Sequence, residues 1–259
     1  MPDVRQRSSA SVKRAFAFLD LVAAARTDGI TLSDLARASE LPVSTCHRYV
    51  TTLLELGVLH KSSSDRLFLG IKLVTLTQAA LQGNTLRTLA RSHLEKLATL
   101  SGETVHLGMH SEYGVVYIDK IDSDKTVRLV SRIGDVVPHY CTAMGKSILA
   151  SLSAEERSPL LVGAVARTPH TLIGDALISE LAAVADRRWA IDEQENEEGV
   201  RCVGAAIATP DGELLGAVSI SGPAGRFTRE LCAELAPAVL AATDTIGQRS
   251  AWPNPIEQL

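Results

Sequence analysis

The segment LPVSTCHRYVTTLLELG, residues 41–57, decides how the first part of the chain folds. It predicts a helix from Val43 to Leu56, closed by Gly57 in the C′ position that glycine favours. When residues are placed 100° apart around the helix axis, apolar and polar side chains fall on separate sides. The predicted core side carries Val43, Cys46, Val50, Leu53 and Leu54. The opposite side carries Ser44, Thr45, Arg48, Thr51, Thr52 and Glu55. His47 lies on the boundary between the two sides.

The polar side of this helix consists of short hydroxyl side chains around a single arginine, Arg48. Short hydroxyls let a helix approach another surface closely, and a guanidinium forks onto guanine O6 and N7 or onto a phosphate. The alternative is an ordinary polar face that simply contacts solvent. The helix alone does not distinguish these two interpretations.

The flanking segments favour DNA binding. Residues 12–25 predict an amphipathic helix, and Thr31 with Asp34 predicts a capping box at the start of a second helix. Residues 58–70, VLHKSSSDRLFLG, predict a β-hairpin with basic residues at its tip. Helix, turn, helix and hairpin make a winged helix-turn-helix over residues 1–71, with the recognition helix in the major groove and the wing on the DNA backbone. The predicted DNA-contacting residues are Ser44, Thr45, His47, Arg48, Thr51, Lys61 and Arg66.

A linker is predicted at residues 72–86. Helical periodicity runs from Ile71 to about Ala98, with a weak point at residues 82–84, Gln-Gly-Asn. The first part, LVTLTQAAL, is apolar enough to pack against a second helix, which predicts dimerisation through this segment.

The remainder of the chain, residues 87–259, predicts an antiparallel sheet with helices packed on it, so the fold class is α+β. The predicted strands are residues 104–110, 115–121, 126–133, 202–209 and 213–221. The predicted helices are residues 142–152, 178–189 and 229–246. Pro210-Asp-Gly212 predicts the turn between the last two strands, because proline presets φ and glycine accepts a positive φ.

Charge and composition narrow the function further. Residues 1–72 hold ten Lys/Arg against seven Asp/Glu, about +3, whereas the rest holds sixteen against twenty-three, about −7. A basic first part on an acidic body is weakly indicative of a polyanionic partner.

The four cysteines are far apart and form no CxxC motif, which argues against a zinc site or a disulfide framework. No apolar run is long enough for a transmembrane helix, and the N-terminal residues lack the apolar segment of a signal peptide, so a cytoplasmic location without membrane contact is expected.

Enzyme motifs are not found in the sequence. Residues 145–147, Gly-Lys-Ser, are part of a phosphate-binding loop pattern, but its first glycine would fall at Tyr140. His106 and His110 lie four residues apart on a predicted strand, about 13 Å, which is too far to share a metal. We therefore predict no catalytic residue, no metal and no cofactor.

Nearly the whole chain resembles the IclR-type bacterial transcriptional regulators. The resemblance rests on SVKRAFAFLDLV, TLSDLARASELPVSTCHRYVTTLLELGVL and LFLGIKL in the first part. It continues through RSHLEKLATLSGETVHLGM, RIGDVVPHYCTAMGKSILASL, AIDEQENEEGVRCVGAAI and DGELLGAVSISGP. It implies a winged helix-turn-helix, a dimerising linker helix and a C-terminal GAF-like domain that binds a small effector.

The resemblance also implies which residues line the effector pocket: Val137, Ala143, Met144, Asp192, Cys202, Ser219 and Ser221. Their placement is self-consistent, because Ser219 and Ser221 are two apart on one strand and face the same side. The helix N-terminus near Ala143 would offer N–H groups to a carboxylate, which suits a small organic acid. The loop TAM, residues 142–144, is bulkier than the Gly-rich loop of glyoxylate- and pyruvate-type sensors, so the resemblance does not assign the effector.

Several alternatives stay open at this point. Cys202 is either a pocket residue, a small buried apolar residue or a redox-sensing thiol, and Asp192 is either a pocket residue or a loop cap. The acidic run DEQENEE, residues 192–198, is predicted to be a solvated loop apart from Asp192.

The predicted function is a sequence-specific transcriptional regulator, with repression favoured over activation. It is predicted to bind an operator as a dimer or a dimer of dimers and to respond to a small carboxylate-bearing metabolite. A redox-sensing regulator acting through Cys202 and a ligand-independent DNA-binding protein are the alternatives.

Overall fold

A computed structural model describes residues 9–250, so the parts of the predicted domains at 1–8 and 251–259 lie outside the described residues. The chain forms two compact units that divide between Gly83 and Asn84. This division falls within the segment where the linker was predicted.

The first unit has the predicted order of elements for a winged helix-turn-helix. Its helices are α1 (Ala10–Ala24), α2 (Leu32–Ala38), α3 (Val43–Glu55) and α4 (Ile71–Gln82), with a short 3-10 helix at Arg26–Asp28. Its two strands, β1 (Leu59–Lys61) and β2 (Leu67–Leu69), pair antiparallel and form the wing.

Local capping fixes the helix starts and ends in this unit. Thr31 Oγ1 accepts from the Asp34 backbone N–H at 3.1 Å and donates to Asp34 Oδ2 at 2.7 Å. The second half of the predicted capping box is therefore wrong, because the Asp34 carboxylate accepts a hydrogen bond from the Thr31 hydroxyl and not from the Thr31 backbone N–H. Gly57, just after α3, has φ +71°, as the left-handed C′ position requires.

The predicted core stripe of α3 is confirmed for Cys46, Val50 and Leu53, which are buried. Leu54 is partly buried against the same core. Val43 was predicted to be in the core, and this is wrong, because its side chain is 51% exposed. Leu41, from the preceding turn, packs against the core instead.

Helix α4 has no buried residue within its own chain. Ile71 is 76% exposed, and Val74 and Leu76 are also exposed. A helix with several large apolar side chains in water leaves apolar surface that a partner would cover.

The second unit is built on a six-stranded antiparallel sheet in the order β5-β4-β3-β8-β7-β6. The strands are β3 (Thr104–Ser111), β4 (Gly114–Ile121), β5 (Val136–Val137), β6 (Ala190–Glu193), β7 (Val200–Ala208) and β8 (Leu214–Pro223). The helices are α5 (Thr85–Ser101), α6 (Ala143–Ser151), α7 (Ala154–Arg157), α8 (Gly174–Arg187) and α9 (Arg229–Ser250). Helices α5 and α9 pack together on the sheet, and α6 packs on the sheet with α8 beside it. The predicted α+β class is confirmed.

The strand predicted at residues 126–133 is wrong, because this segment has no regular secondary structure. Side chains, rather than a neighbouring strand, bind its carbonyl groups. Arg226 Nη2 donates to Val127 O at 2.7 Å, and Lys120 Nζ donates to Ser131 O at 2.5 Å. Backbone groups that are satisfied in this way do not need a sheet partner, so the segment forms a loop over one face of the sheet.

Candidate functional sites

The polar face of α3 lies on the outside of the first unit. Ser44, His47, Arg48 and Thr51 are exposed, and Thr45 is half-buried. His47, which the sequence left on the boundary, therefore belongs to the exposed side, where its Nδ1 lies 3.5 Å from Thr51 Oγ1. No described residue forms an ion pair with Arg48, so the α3 face presents an uncompensated guanidinium among hydroxyl groups.

The two basic residues of the wing differ in their surroundings. Lys61 is exposed and forms an ion pair with Asp65 at 2.7 Å. Arg66 Nη1 donates to the carbonyl oxygens of Asp28 at 3.1 Å and Gly29 at 3.0 Å. Arg66 therefore ties the wing to the turn after α1, a structural role that the sequence did not reveal.

A cavity of about 100 Å³ lies in the second unit, above the sheet and beside the start of α6. The seven residues that the family resemblance assigned to an effector pocket all line it: Val137, Ala143, Met144, Asp192, Cys202, Ser219 and Ser221. The lining also contains residues that sequence reasoning missed: Tyr117, Leu129, Val130, Ser131, Asp135, Thr142, Asn196, Glu197 and Val200.

The strand register explains how distant residues meet in this cavity. Residues directly opposite each other in an antiparallel sheet share a face. Cys202 is paired with Asp192 on one side and with Ser221 on the other, so these three form one row across β6, β7 and β8. Ser219 is paired with Gly204 and with His106, which makes the next row.

The loop between β4 and β5 contributes four of the missed residues, more than any other segment. Leu129, Val130 and Ser131 belong to the segment that was predicted as a strand. Tyr117 lies on β4, opposite Gly108, and its ring stacks on the His106 ring with centroids 4.5 Å apart. Burial raises the pKa of the Tyr117 hydroxyl, so this group is neutral and can both donate and accept.

The N-terminus of α6 is capped at Thr142 and reaches the cavity through a close approach to the sheet at Gly204. Thr142 caps the helix, accepting from the Gly145 N–H at 3.0 Å. A Cβ at Gly204 would lie 3.2 Å from the Met144 backbone N, so the missing side chain gives the helix end its space. A helix leaves its first N–H groups without intrahelical partners, which makes those of Ala143 and Met144 suitable for an anion.

Asp192 combines the two roles that the sequence left open. Its Oδ1 accepts from the backbone N–H groups of Glu195 at 2.7 Å and Asn196 at 3.3 Å, so it caps the loop after β6. It also lines the cavity. Burial raises the pKa of Asp192 to about 7, since desolvation disfavours the charged carboxylate and the two N–H donors only partly offset this.

Cys202 is buried, and burial raises the pKa of its thiol well above the usual value. The nearby Asp192 carboxylate acts in the same direction. Since the thiolate is the reactive form, this site opposes oxidation chemistry at Cys202. Cys141 and Cys232 are also buried, and burial raises the pKa of each thiol to about 12.

The prediction that residues 193–198 are solvated is wrong for Glu193 and Glu195. Glu193 bonds to the Arg201 guanidinium. Glu195 forms an ion pair with Lys146 of α6, in which both residues are at most 2% exposed. Lys146 therefore binds a carboxylate of its own chain, which accounts for the lysine in the Gly-Lys-Ser segment.

Among the described residues there is no cluster of three or more His, Cys, Asp or Glu side chains arranged to hold a metal ion. His106 bonds to Ser131, and His110 bonds to His139 at 3.0 Å, so the two strand histidines have separate partners. Within residues 9–250, no helix combines the length and apolar character needed to cross a membrane.

Comparison with known proteins gives matches to both units. Residues 11–63 match the IclR helix-turn-helix domain, and residues 78–248 match the bacterial transcriptional regulator IclR C-terminal domain. The chain is 34% identical over 232 residues to the HTH-type transcriptional regulator KdgR of Escherichia coli, with 88% of each chain covered. It is 30% identical over 242 residues to the acetate operon repressor of Salmonella typhimurium, with 91% of this chain and 88% of that one covered.

A solved structure of an IclR homologue from Microbacterium hydrocarbonoxydans, complexed with 4-hydroxybenzoate, shares the fold. The TM-score is 0.76 at 23% identity, with 93% of this chain and 100% of that chain covered. The two curated relatives carry the names of transcriptional regulators rather than of enzymes.

The buried ion pair makes a stability prediction. Lys146→Met leaves the Glu195 carboxylate buried without its partner, so we expect a loss of about 3–5 kcal/mol in the free energy of unfolding. The double variant Lys146→Met with Glu195→Leu should recover most of that loss, because no unpaired charge stays buried. Urea titration of the second unit's unfolding measures both.

Arg188→Met is the matched control, since the Arg188–Asp244 pair is exposed. Its loss should stay below about 1 kcal/mol. The prediction would be contradicted if Lys146→Met lost no more free energy of unfolding than the control. It would also be contradicted if the double variant were less stable than Lys146→Met.

Proposed function

The chain belongs to the IclR family of bacterial transcriptional regulators, and from this premise we propose that it represses transcription at a specific operator and is controlled by a small carboxylate-bearing metabolite. The observation that carries the proposal is the convergence of seven residues, taken from four separate stretches of sequence, on one cavity of the second unit. Repression rather than activation is supported by the similarity to the acetate operon repressor.

DNA recognition is proposed for the exposed face of α3. Arg48 is the main contact, to a guanine edge or a phosphate, and Ser44, Thr45, His47 and Thr51 lie near the DNA. This is supported by the exposure of all these side chains except the half-buried Thr45, and by the absence of an acidic partner for Arg48 among the described residues. In the wing, Lys61 contacts phosphate by exchanging its exposed ion pair with Asp65, whereas Arg66 contributes by holding the wing in place as well as by its charge.

Self-association is proposed through α4. A dimer presents two copies of α3 to a roughly palindromic operator, and a dimer of dimers presents four. The exposed apolar side chains of Ile71, Val74 and Leu76 support this, because burial against a second copy removes them from water. The segment 72–86 is thus proposed as linker and dimerisation element, between a DNA-binding domain at 1–71 and an effector domain at 87–259.

Effector binding is proposed for the cavity above β7 and β8. A carboxylate of the effector accepts hydrogen bonds from the backbone N–H groups of Ala143 and Met144, and Asp192, Ser219 and Ser221 bind its other polar atoms. A homologue of the same fold holds 4-hydroxybenzoate, which carries one carboxylate, and this supports the chemical class. The regulator acts in the cytoplasm, where bacterial DNA lies, and needs no cofactor in this scheme.

Binding in the cavity changes operator affinity through the relative setting of the two DNA-binding units in the dimer. Coupling of about 1–3 kcal/mol is enough to change affinity by roughly 5- to 150-fold. Redox control through Cys202 is the weaker alternative, since burial opposes thiolate formation there.

The DNA-reading role of Arg48 is tested by substitution. Arg48→Ala should weaken binding by about 1–3 kcal/mol, because it removes a bidentate contact. The measurement is a gel-shift titration on a DNA site selected from a random pool by the wild-type protein. Arg229→Ala, at an exposed arginine of the second unit, is the control for loss of one positive charge. Equal affinities for the two variants would remove Arg48 from the readout.

The effector role of the cavity is tested by ligand-induced stabilisation. In a thermal-shift screen of small carboxylic acids, at least one compound should raise the melting temperature of the wild-type protein, because a ligand that binds only the folded state stabilises it. Ser221→Phe fills the cavity and should abolish that shift while leaving operator affinity without ligand unchanged. Ser92→Phe, on the exposed side of α5, should retain the shift. A shift that survives Ser221→Phe would place the ligand elsewhere.

The affinity for an anionic effector should fall as the pH rises through 7. Below pH 7 the Asp192 carboxyl is mostly protonated and donates to the ligand, whereas above it the carboxylate repels an anion. We expect up to about a fivefold loss of affinity between pH 7 and pH 8, because the protonated fraction of a carboxyl with this pKa falls by about that factor. Calorimetric titration with an acid from the screen at pH 6, 7 and 8 measures it. Asp192→Asn should bind with constant affinity over this range, and an affinity in the wild-type protein that rises with pH would contradict the assignment.

A further inference from the structure

His106 lies behind the cavity wall and contacts three side chains that line the cavity. Its Nε2 lies 2.7 Å from Ser131 Oγ, and its Nδ1 lies 3.4 Å from Ser221 Oγ. Its ring stacks on Tyr117 with an interplanar angle of 22°. His106 thus connects the loop over the cavity with strand β8 on its floor.

The ring of His106 is neutral at physiological pH. It is fully buried, and burial together with the positive charge of Lys120 lowers its pKa to about 4. A neutral imidazole has one nitrogen that donates and one that accepts. Of the two hydroxyl groups bonded to this ring, one therefore donates to it and the other accepts from it.

Lys120 decides which nitrogen carries the proton. Its ammonium has three protons and three acceptors within reach: Ser131 O at 2.5 Å, Asp122 Oδ1 at 2.7 Å and Ser131 Oγ at 3.4 Å. Ser131 Oγ accepts from Lys120 and keeps its own proton for His106 Nε2. The 2.7 Å distance agrees, because hydroxyl donors approach about 0.2 Å closer than N–H donors do.

The charge of Lys120 acts in the same direction, and its effect on the ring is larger than the opposing effect of either Asp122 or Asp135. A cation on the Nε2 side of the ring favours a lone pair there and the N–H group on the far side, at Nδ1. The far side faces Ser221. Both the hydrogen-bond pattern and the electrostatics therefore select the Nδ1–H tautomer.

We propose that His106 is a positioning residue of the effector cavity, which as the Nδ1–H tautomer donates to Ser221 Oγ and leaves the Ser221 hydroxyl proton free for an oxygen acceptor of the effector. The chain of donors runs from Lys120 to Ser131, His106, Ser221 and then the ligand. The assignment of the ligand rests on the proposed function of the cavity, whereas the tautomer does not.

This arrangement specifies the chemistry of the ligand on the β8 side. Cys202 lies opposite Ser221 on the neighbouring strand, and the two side chains form a hydrogen bond. Because sulfur is only a weak acceptor, a ligand oxygen readily replaces it as the acceptor of the Ser221 proton. A carboxylate or carbonyl oxygen fits at Ser221. A ligand group that can only donate, such as an ammonium, does not.

The tautomer is measurable without knowing the effector. In the ¹⁵N NMR spectrum of the full chain labelled at histidine, the protonated and unprotonated ring nitrogens of a neutral imidazole have well-separated shifts. His106→Gln identifies the His106 signals among those of the seven histidines by their loss. We expect the proton on Nδ1 at pH 7, and a proton on Nε2 would overturn the proposal.

A matched pair of lysine variants tests the cause. Lys120→Met should shift the His106 signals toward the Nε2–H tautomer, because Ser131 Oγ then no longer accepts from an ammonium. Lys125→Met removes a lysine that pairs with Glu103 instead, and should leave the His106 signals unchanged. Identical His106 spectra for wild type and Lys120→Met would show that Lys120 does not set the tautomer and would overturn the donor chain.

Failure here and failure of the proposed function are distinguishable. The thermal-shift screen reports whether the cavity takes a carboxylic acid, whatever the tautomer of His106. The NMR spectrum of the ligand-free protein reports the tautomer, whatever the cavity binds.

Discussion

The buried ion pair between Lys146 and Glu195 holds the start of α6 against the loop after β6, and the geometry of the second unit depends on it. Both residues are almost completely removed from water. Burial raises the pKa of Glu195, and the Lys146 ammonium opposes this shift. The rest of the loop is arranged around this pair. Thr171 Oγ1 donates to Glu195 O at 2.6 Å, and Leu172 N–H bonds to the Glu195 carboxylate. The ion pair thus fixes the N-terminus of α6 over the sheet, and the cavity is the space between the two.

The electrostatics of the cavity follow from this placement. Among the described residues its lining includes Asp135, Asp192 and Glu197 but no lysine or arginine. Under the proposed function, a small anion would therefore meet positive potential at the end of α6 and at hydroxyl protons rather than in an ion pair. Such a site suits reversible sensing of a metabolite, because a ligand held by neutral donors is released without separating two opposite charges. The raised pKa of Asp192 agrees, since its neutral form adds a donor where a charged form would repel.

Charged residues in this protein are often structural where a motif suggests function. Lys146 lies in a Gly-Lys-Ser segment yet binds Glu195, and Arg66 lies in the wing yet holds the turn after α1. The residues that are available for a partner are Arg48, which has no ion pair among the described residues of the first unit, and Ser219 and Ser221, which line the cavity of the second. Burial and partner geometry, rather than residue type, separate the two groups.

The sequence by itself determined the order of elements in the first unit and its winged helix-turn-helix, because these depend on helical and strand periodicity and on local motifs. Seven residues that line the cavity were named from the resemblance to a known family, and not from periodicity. It did not predict that residues 126–133 form a loop over the cavity, since their β-prone side chains give the same alternating pattern as a strand. It placed Val43 in the core because its angle falls on the apolar side of the helix, but periodicity does not reveal how far the core extends beyond the first turn, where Val43 is exposed. Only the tertiary structure brought Ser131, His106 and Ser221 together and buried Lys146 against Glu195. Contacts between residues 25 to 115 positions apart depend on strand register and helix packing, and no local pattern in the chain encodes them.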